Sequence, residues 1–211
     1  MSKKILEELR DAVVIGDVVK TKKIAEQTIK QGIVVNSALS TLMKAMKIVD
    51  ERYERKEYFV IDVASSAAAM REAFKILEPH LEVEPAMTKG KIVIGSLKGN
   101  VQSLGKDIVA AMLRSAGFQV VSLGVDVSPV TFVKAAVHEK AQMIAISISM
   151  EETIPYLKDV VEILKKEDLR DKIKVIIGGN AVSEQTCEDY ALDAYAVDAE
   201  ECVKKVKVLL S

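Results

Sequence analysis

Tryptophan is absent, aromatic residues make up 4% of the chain, and only two histidines and two cysteines occur among its 211 residues. Each scarcity excludes something. So few aromatic side chains argue against a platform on which nucleic-acid bases stack. With 30 basic and 31 acidic residues the net charge is -1, so there is no footprint for a phosphate backbone. His80 lies in a linker-like stretch and His138 near a helix end, both at the surface. Cys187 and Cys202 read as reduced, partly buried thiols. No three-ligand zinc or iron site can be assembled from these four residues. No apolar run approaches the roughly 20 residues that span a bilayer, and MSKKILEELRDAVVIGD lacks a signal-peptide core. The expectation is a cytoplasmic protein with neither nucleic acid nor membrane as a partner.

What is present divides in two. Residues 3–15, 17–31, 33–52 and 56–77 carry apolar residues at helical spacing, for example Ile5, Leu6, Leu9 and Val13. Gly16 and Gly32 sit where helices should stop, and Asp17 and Asn36 are placed to cap the helices after them. The fourth stretch, VIDVASSAAAMREAF, is rich in small side chains, which allow a helix or a flat ligand to approach closely. Spacing alone favours plain packing in a small helical bundle. EPHLEVEPAMTKG (78–90) holds two of the four prolines and reads as a linker. The expected domains are 1–84 and 85–211.

Beyond the linker, strand and helix signals alternate. KIVIGS (91–96), FQVVSLG (118–124), AQMIAISIS (141–149), KVIIGG (174–179) and DAYAV (193–197) read as strands. Helical stretches at 106–117, 129–140, 154–168, from Ser183, and AEECVKKVKVLL separate or follow them. Ser128 and Pro129 form a capped helix start. Apolar, β-branched strands between helices imply a parallel sheet covered on both faces. The fold class is therefore α plus α/β: an N-terminal helical bundle, then a flavodoxin/Rossmann-like doubly wound sheet of about five strands.

In such a sheet a ligand lies beyond the carboxyl ends of the strands, where the strand order switches. The unusual loops fall there. SLKGNVQSLGK (96–106) is too long and polar for a minimal turn. SISMEET (147–153) offers hydroxyls at Ser147 and Ser149, on one face if the strand persists. Gly178-Gly179-Asn180 lets backbone approach a ligand. The first loop has no Gly-x-Gly-x-x-Gly, and Gly99 and Gly105 are one residue too far apart for a P-loop, with Asp107 after Lys106. Ser96 and Ser103 alone are thin for a flavin-phosphate loop. Asp126, Glu151 and Glu152 lie near the edge without a pairing that spacing enforces.

These loops resemble those of the corrinoid proteins of methanol, methylamine and methoxyarene methyltransferase systems, and of the cobalamin module of methionine synthase. The family's Asp-x-His-x-x-Gly, Ser-x-Leu and Gly-Gly appear as Asn100-Val101-Gln102-Ser103-Leu104-Gly105, Ser147-Ile148-Ser149 and Gly178-Gly179. GKDIVAAMLRSAGFQVVSLGVDVSP, SSAAAM (65–70) and LEPHL (77–81) extend the likeness over nearly the whole chain. It implies a cobalamin or related corrinoid, base-off, with its nucleotide tail in a slot beside the sheet. Cofactor contacts would come from Lys98, Gly99, Asn100, Val101, Gln102, Ser103, Leu104, Gly105, Ser147, Ile148, Ser149, Gly178, Gly179, Tyr195, Ala196 and Asp198. Ala67 and Met70 of the helical cap would cover the upper face. The implied role is to carry a methyl group on cobalt between a substrate-specific methyltransferase and a tetrahydrofolate or similar pterin methyltransferase, as in O-demethylation, with a reductive activase as a further partner.

Two substitutions set this chain apart. Gln102 replaces the cobalt-ligating histidine, and Asn100 replaces its aspartate partner. An amide oxygen is a poor ligand for cobalt, and without an imidazole the carboxylate has no ring N–H to hold. Gln102 is therefore expected nearest the metal at the lower face, with no histidine ligation. Rival readings are a cobalamin-binding sensor without methyl transfer and, further off, a flavin- or nucleotide-binding enzyme.

Overall fold

The computed structural model describes residues 2–81 and 90–211. The chain forms two compact units, Met1–Glu82 and Val83–Ser211. The expected boundary at 84/85, and most of the expected linker, lie outside the described residues.

The first unit holds α1 (Ser2–Val14), α2 (Val18–Lys30), α3 (Val35–Glu54) and α4 (Val60–Leu77), ending in a 3-10 turn at Glu78–His80. The glycines end helices as expected. Gly16 and Gly32 adopt φ of +73° and +64°, a left-handed conformation that costs glycine little. Asp17 then caps α2, accepting from Lys20 N at 2.9 Å. Asn36 is not a cap. The helix starts one residue earlier, Val34 is its N-cap without a side-chain bond, and Asn36 sits in the first turn. α4 starts at Val60, later than the apolar pattern suggested. Leu9, Leu39, Leu42 and Leu77 are fully buried, each contributing about 1.5–3 kcal/mol.

The small residues of α4 have a packing role within this unit. A Cβ on Gly16 would lie 2.6 Å from Ser65 Cβ, so the α1–α2 turn rests directly on α4. Ser66 and Tyr58 both donate to Val14 O, at 2.9 and 3.0 Å, satisfying a carbonyl left free at the end of α1.

In the second unit, β1 (Lys91–Ser96), β2 (Gln119–Ser122), β3 (Met143–Ser147), β4 (Lys174–Gly178) and β5 (Ala194–Ala196) alternate with helices. These are α5 (Leu104–Ser115), α6 (Pro129–His138), α7 (Tyr156–Lys166), α8 (Glu184–Asp189) and α9 (Ala199–Leu209). The strands form one parallel sheet in the order β2-β1-β3-β4-β5. The switch falls between β1 and β3, as the flavodoxin-like order requires. Strand alternation divides the core. Val93, Ile144, Ile146, Val175 and Ile177 pack with Phe132 and Leu157 on one face. Ile92, Ile94, Met143 and Ile176 pack with Leu113 and Val206 on the other.

Candidate functional site

Four strands end on one rung. Ser96 pairs with Ser147, Ser147 with Gly178, and Gly178 with Ala196. Residues in lateral register share a face, and alternation from Ile92, Ile94 and Met143 places this rung on the face covered by α5 and α9. At its carboxyl end, that face therefore carries only Ser, Ser, Gly and Ala. A Cβ on Gly178 would lie 3.0 Å from Ala196 O, a tight approach to backbone that glycine relieves. Gly179 serves close backbone approach. Its φ is +123° and a Cβ would fall 2.1 Å from Ile148 O, so no other residue fits unless the β3 loop shifts.

The loop after β1 is pinned at every turn. Leu97 N donates to Ser147 O at 3.0 Å. The Ser96 hydroxyl donates to Gln102 O at 2.8 Å. Gly99 N donates to Asp126 Oδ1 at 2.8 Å, and Asp126 N donates to Asn100 O at 2.9 Å. Asp126 holds φ +55° to do so, which Asp tolerates better than most residues.

Asn100 is the centre of the loop, at 1% exposure. Its Nδ2 donates to Leu97 O at 3.2 Å and to Thr153 Oγ1 at 2.7 Å. Its Oδ1 accepts from Ser149 N at 2.8 Å and from Ser149 Oγ at 2.9 Å. A backbone N–H at Ser149 requires the oxygen there, and Leu97 O requires the nitrogen, so the amide has one possible orientation. Both donors and both lone pairs are used. The Thr153 hydroxyl donates onward to Met150 O at 2.7 Å. Asn100 thus ties the β1 loop to the β3 loop.

Around this floor the loop tips are apolar and exposed. Val101 is 75% exposed, Val125 37%, Met150 43% and Val197 56%, each in a loop leaving the carboxyl end of a different strand. Lys98 lies over the Tyr156 ring, 5.2 Å from its centroid. Lys106, 3% exposed, is held by Asp107 and by Ser122 Oγ at 3.0 Å. At β5, Lys205 donates to Tyr195 O at 2.6 Å. Burial works against the Lys205 ammonium, but its bond to Glu201 and the charges of Glu201 and Glu184 outweigh that and raise its pKa. Burial, with Glu201 and Glu184, pushes the Tyr195 phenol up as well.

The sheet edge collects Lys98 through Gly105, Ser147 through Ser149, Gly178, Gly179, Tyr195, Ala196 and Asp198, although not all of them in the expected setting. β3 ends at Ser147, so Ser149 does not share its strand face and its hydroxyl turns to Asn100 instead. Leu104 and Gly105 belong to the first turn of α5. Asp198 caps α9, accepting from Glu201 N at 2.8 Å. Gln102 is exposed. Ala67 and Met70 lie on α4 in the helical unit, where Met70 is 2% exposed. His138 is exposed at the carboxyl end of α6, which is the opposite edge of the sheet. Sequence reasoning missed Ser96, Asp126 and Thr153 as supports of the site. Ser96 and Asp126 are isolated polar residues at strand ends, and Thr153 lies 53 residues from the side chain it meets.

The residues present suit a flat, apolar-edged macrocycle that brings its own metal donors. The rim is apolar, the rung beside it is small, and among the described residues no cluster of three His, Cys, Asp or Glu side chains is placed to hold a metal ion. No described helix is long and apolar enough to cross a membrane.

Two family models, each described as a B12 binding domain, match residues 90–205 and residues 5–78. A trimethylamine corrinoid protein of Methanosarcina acetivorans is 34% identical over 209 residues, covering 98% of this chain and 97% of that one. The structure of the monomethylamine corrinoid protein of Methanosarcina barkeri superposes with a TM-score of 0.88 at 30% identity, covering 99% of this chain and all of that one. A chain of the methanol:cobalamin methyltransferase complex MtaBC of the same organism matches with a TM-score of 0.56 at 27% identity, over 98% of this chain and 80% of that one.

Proposed function

Because this chain belongs to the family of corrinoid proteins built from B12 binding domains, we propose that it binds a corrinoid at the carboxyl edge of its sheet and carries methyl groups between methyltransferases. The observation that carries the reading is the apolar rim of Val101, Val125, Met150 and Val197 around a floor pinned by protein hydrogen bonds. When bound, the corrinoid supplies a cobalt centre able to accept a methyl group and yield it again.

The chain's own residues bind, orient and exclude water. The small side chains of the Ser96–Ser147–Gly178–Ala196 rung would let the nucleotide tail approach along the α5/α9 face, where the Ser147 hydroxyl would serve it. The β1 loop would form the floor under the corrinoid, where Gln102, exposed in that loop, would be the side chain offered to the metal. Open loop tips suit a carrier, since donor and acceptor enzymes must each reach the metal. The partners in this reading are a substrate-specific methyltransferase, a pterin-dependent methyltransferase and a reductive activase, in the cytoplasm.

The test is reconstitution with cobalamin, gel filtration, and a visible spectrum of the protein peak, followed by methyl loading with a candidate donor methyltransferase. Stoichiometric corrinoid and loading of the cobalt are expected. No retained corrinoid sinks the reading. Retained corrinoid that no donor enzyme methylates favours a sensor.

A further inference from the structure

On its β3 side the β1 loop is braced by Asn100, through Ser149 and Thr153. On its β2 side the pairing of β1 with β2 runs on past the strand ends. Ser96 N donates to Gly124 O at 3.0 Å, Val127 N donates to Ser96 O at 2.9 Å, and Leu97 bridges to Val127. Those are backbone bonds that many side chains would permit. The next one outward depends on a side chain, because Gly99 N donates to Asp126 Oδ1 at 2.8 Å. Asp126 also donates its own N–H to Asn100 O at 2.9 Å. It takes φ +55° to make both bonds, a conformation that Gly, Asn and Asp accept more readily than other residues. From the β3 side Gly99 is hemmed in, since a Cβ there would fall 2.8 Å from Thr153 Cγ2. The Gly99 turn is thus limited by one neighbouring loop and bonded by the other.

We infer that Asp126 is a positioning residue of the corrinoid site, whose carboxylate holds the Gly99 turn in place once a bound cofactor excludes water from it. Gly99 and Asp126 are both exposed. In the cofactor-free protein, water can take the place of the carboxylate at Gly99 N, and exchanging one acceptor for another changes little. The clasp lies in the chain between two exposed apolar tips of the rim, for Val125 precedes Asp126 and Val101 follows Asn100. A flat ligand seated on both tips covers the clasp. Gly99 N–H then keeps Asp126 or goes without an acceptor, and a donor buried unpaired is costly. Loss of this acceptor therefore weakens cofactor binding far more than it weakens folding.

The inference rests on the corrinoid reading. The experiment measures cobalamin binding to the full-length protein by equilibrium dialysis, and urea unfolding of the same variants without cofactor. D126G keeps the backbone conformation and removes the acceptor. Its Kd is expected to rise about tenfold or more, while its urea midpoint stays close to that of the natural chain. D126N keeps an oxygen for Gly99 N and is expected to bring Kd back to within about threefold of the natural value. D126G that binds as tightly as the natural chain overturns the inference. So does D126G that loses as much unfolding free energy as binding free energy, which makes the bond a structural contact only. D126N that binds no better than D126G also overturns it, because the charge and not the acceptor is then responsible. A natural chain that retains no corrinoid overturns the carrier reading and the inference with it.

Discussion

Asn100→Asp tests the brace without any cofactor. The substitution is nearly isosteric and replaces one NH2 with an oxygen at 1% exposure. The bonds to Leu97 O at 3.2 Å and Thr153 Oγ1 at 2.7 Å both lose their donor. Thr153 can turn its hydroxyl to the new oxygen only by releasing Met150 O. Leu97 O then faces an oxygen. Leu97 O keeps its bond from Asn100 N at 2.8 Å, but two lost side-chain hydrogen bonds at about 1 kcal/mol each, plus the cost of burying a carboxylate against that carbonyl, give about 2–4 kcal/mol at neutral pH. The protonated acid is better off, because its O–H can donate to Leu97 O. Desolvation and that carbonyl, acting against the two Ser149 donors on Oδ1, raise the folded-state pKa above the unfolded value of about 3.9. A group whose folded pKa is raised keeps its stability below the unfolded pKa and loses it as pH rises through the folded pKa. The deficit of N100D relative to the natural chain should thus be small near pH 4 and grow toward pH 8. Urea unfolding of the cofactor-free protein, followed by circular dichroism, should show a midpoint lowered by about 1–2 M at the higher pH. A deficit that is flat with pH, or larger in acid, refutes the hydrogen-bond assignment.

Other substitutions probe other parts of the unit. Gly179→Ala forces a Cβ to within 2.1 Å of Ile148 O at φ +123°; strain and overpacking together should cost about 3 kcal/mol or more, with loss of corrinoid retention, and a stable, corrinoid-binding variant would show that the β3 loop yields. Asp193→Ala removes the shared partner of Arg170 at 2.7 Å, Lys174 at 3.1 Å and Val175 N at 2.8 Å. It should lower stability by about 3 kcal/mol while leaving the bound-cofactor spectrum unchanged, because the cluster lies at the amino edge of the sheet; a spectral change contradicts that separation. Burial, reinforced by Asp198 and Glu201, pushes the Cys202 thiol up from 9.0 to about 12, and burial with Glu184 and Asp193 raises that of Cys187. Neither should react with a thiol reagent at pH 8 until urea unfolds the chain, and fast labelling of the native protein would contradict their burial. A raised folded pKa also means that the thiol's contribution to stability is complete below about 9 and is lost between there and about 12.

Much of the fold was legible from local rules. The glycines at 16 and 32, Asp17, Ser128, Ser183 and the β-branched runs mark element ends and strands through φ preferences, capping and periodicity, all of which act within a few residues. The flavodoxin-like order followed from apolar parallel strands, and the placement of the loops at the carboxyl edge followed from that order. The helix start near Asn36 was misjudged because α3 follows Val34 without any side-chain cap, and that near residue 56 because Asp62, accepting from Phe59 N at 2.8 Å, sets the start of α4 from inside the helix. The letters Asn100 and Gln102 were visible in the chain, and only the resemblance set them against an expected aspartate and histidine. What those letters could not show is where the amide of Asn100 goes. Ser149 and Thr153 lie 49 and 53 residues away, and only the sheet register that sets Ser96 beside Ser147 brings them to it. The same register turned four unrelated small residues into one rung and the double glycine into a backbone contact with Ile148. Sequence alone determined which chemical groups are available at this edge. Tertiary structure decided which of them are already spent on one another, because hydrogen-bond capacity is finite and is allotted by contacts distant in the chain.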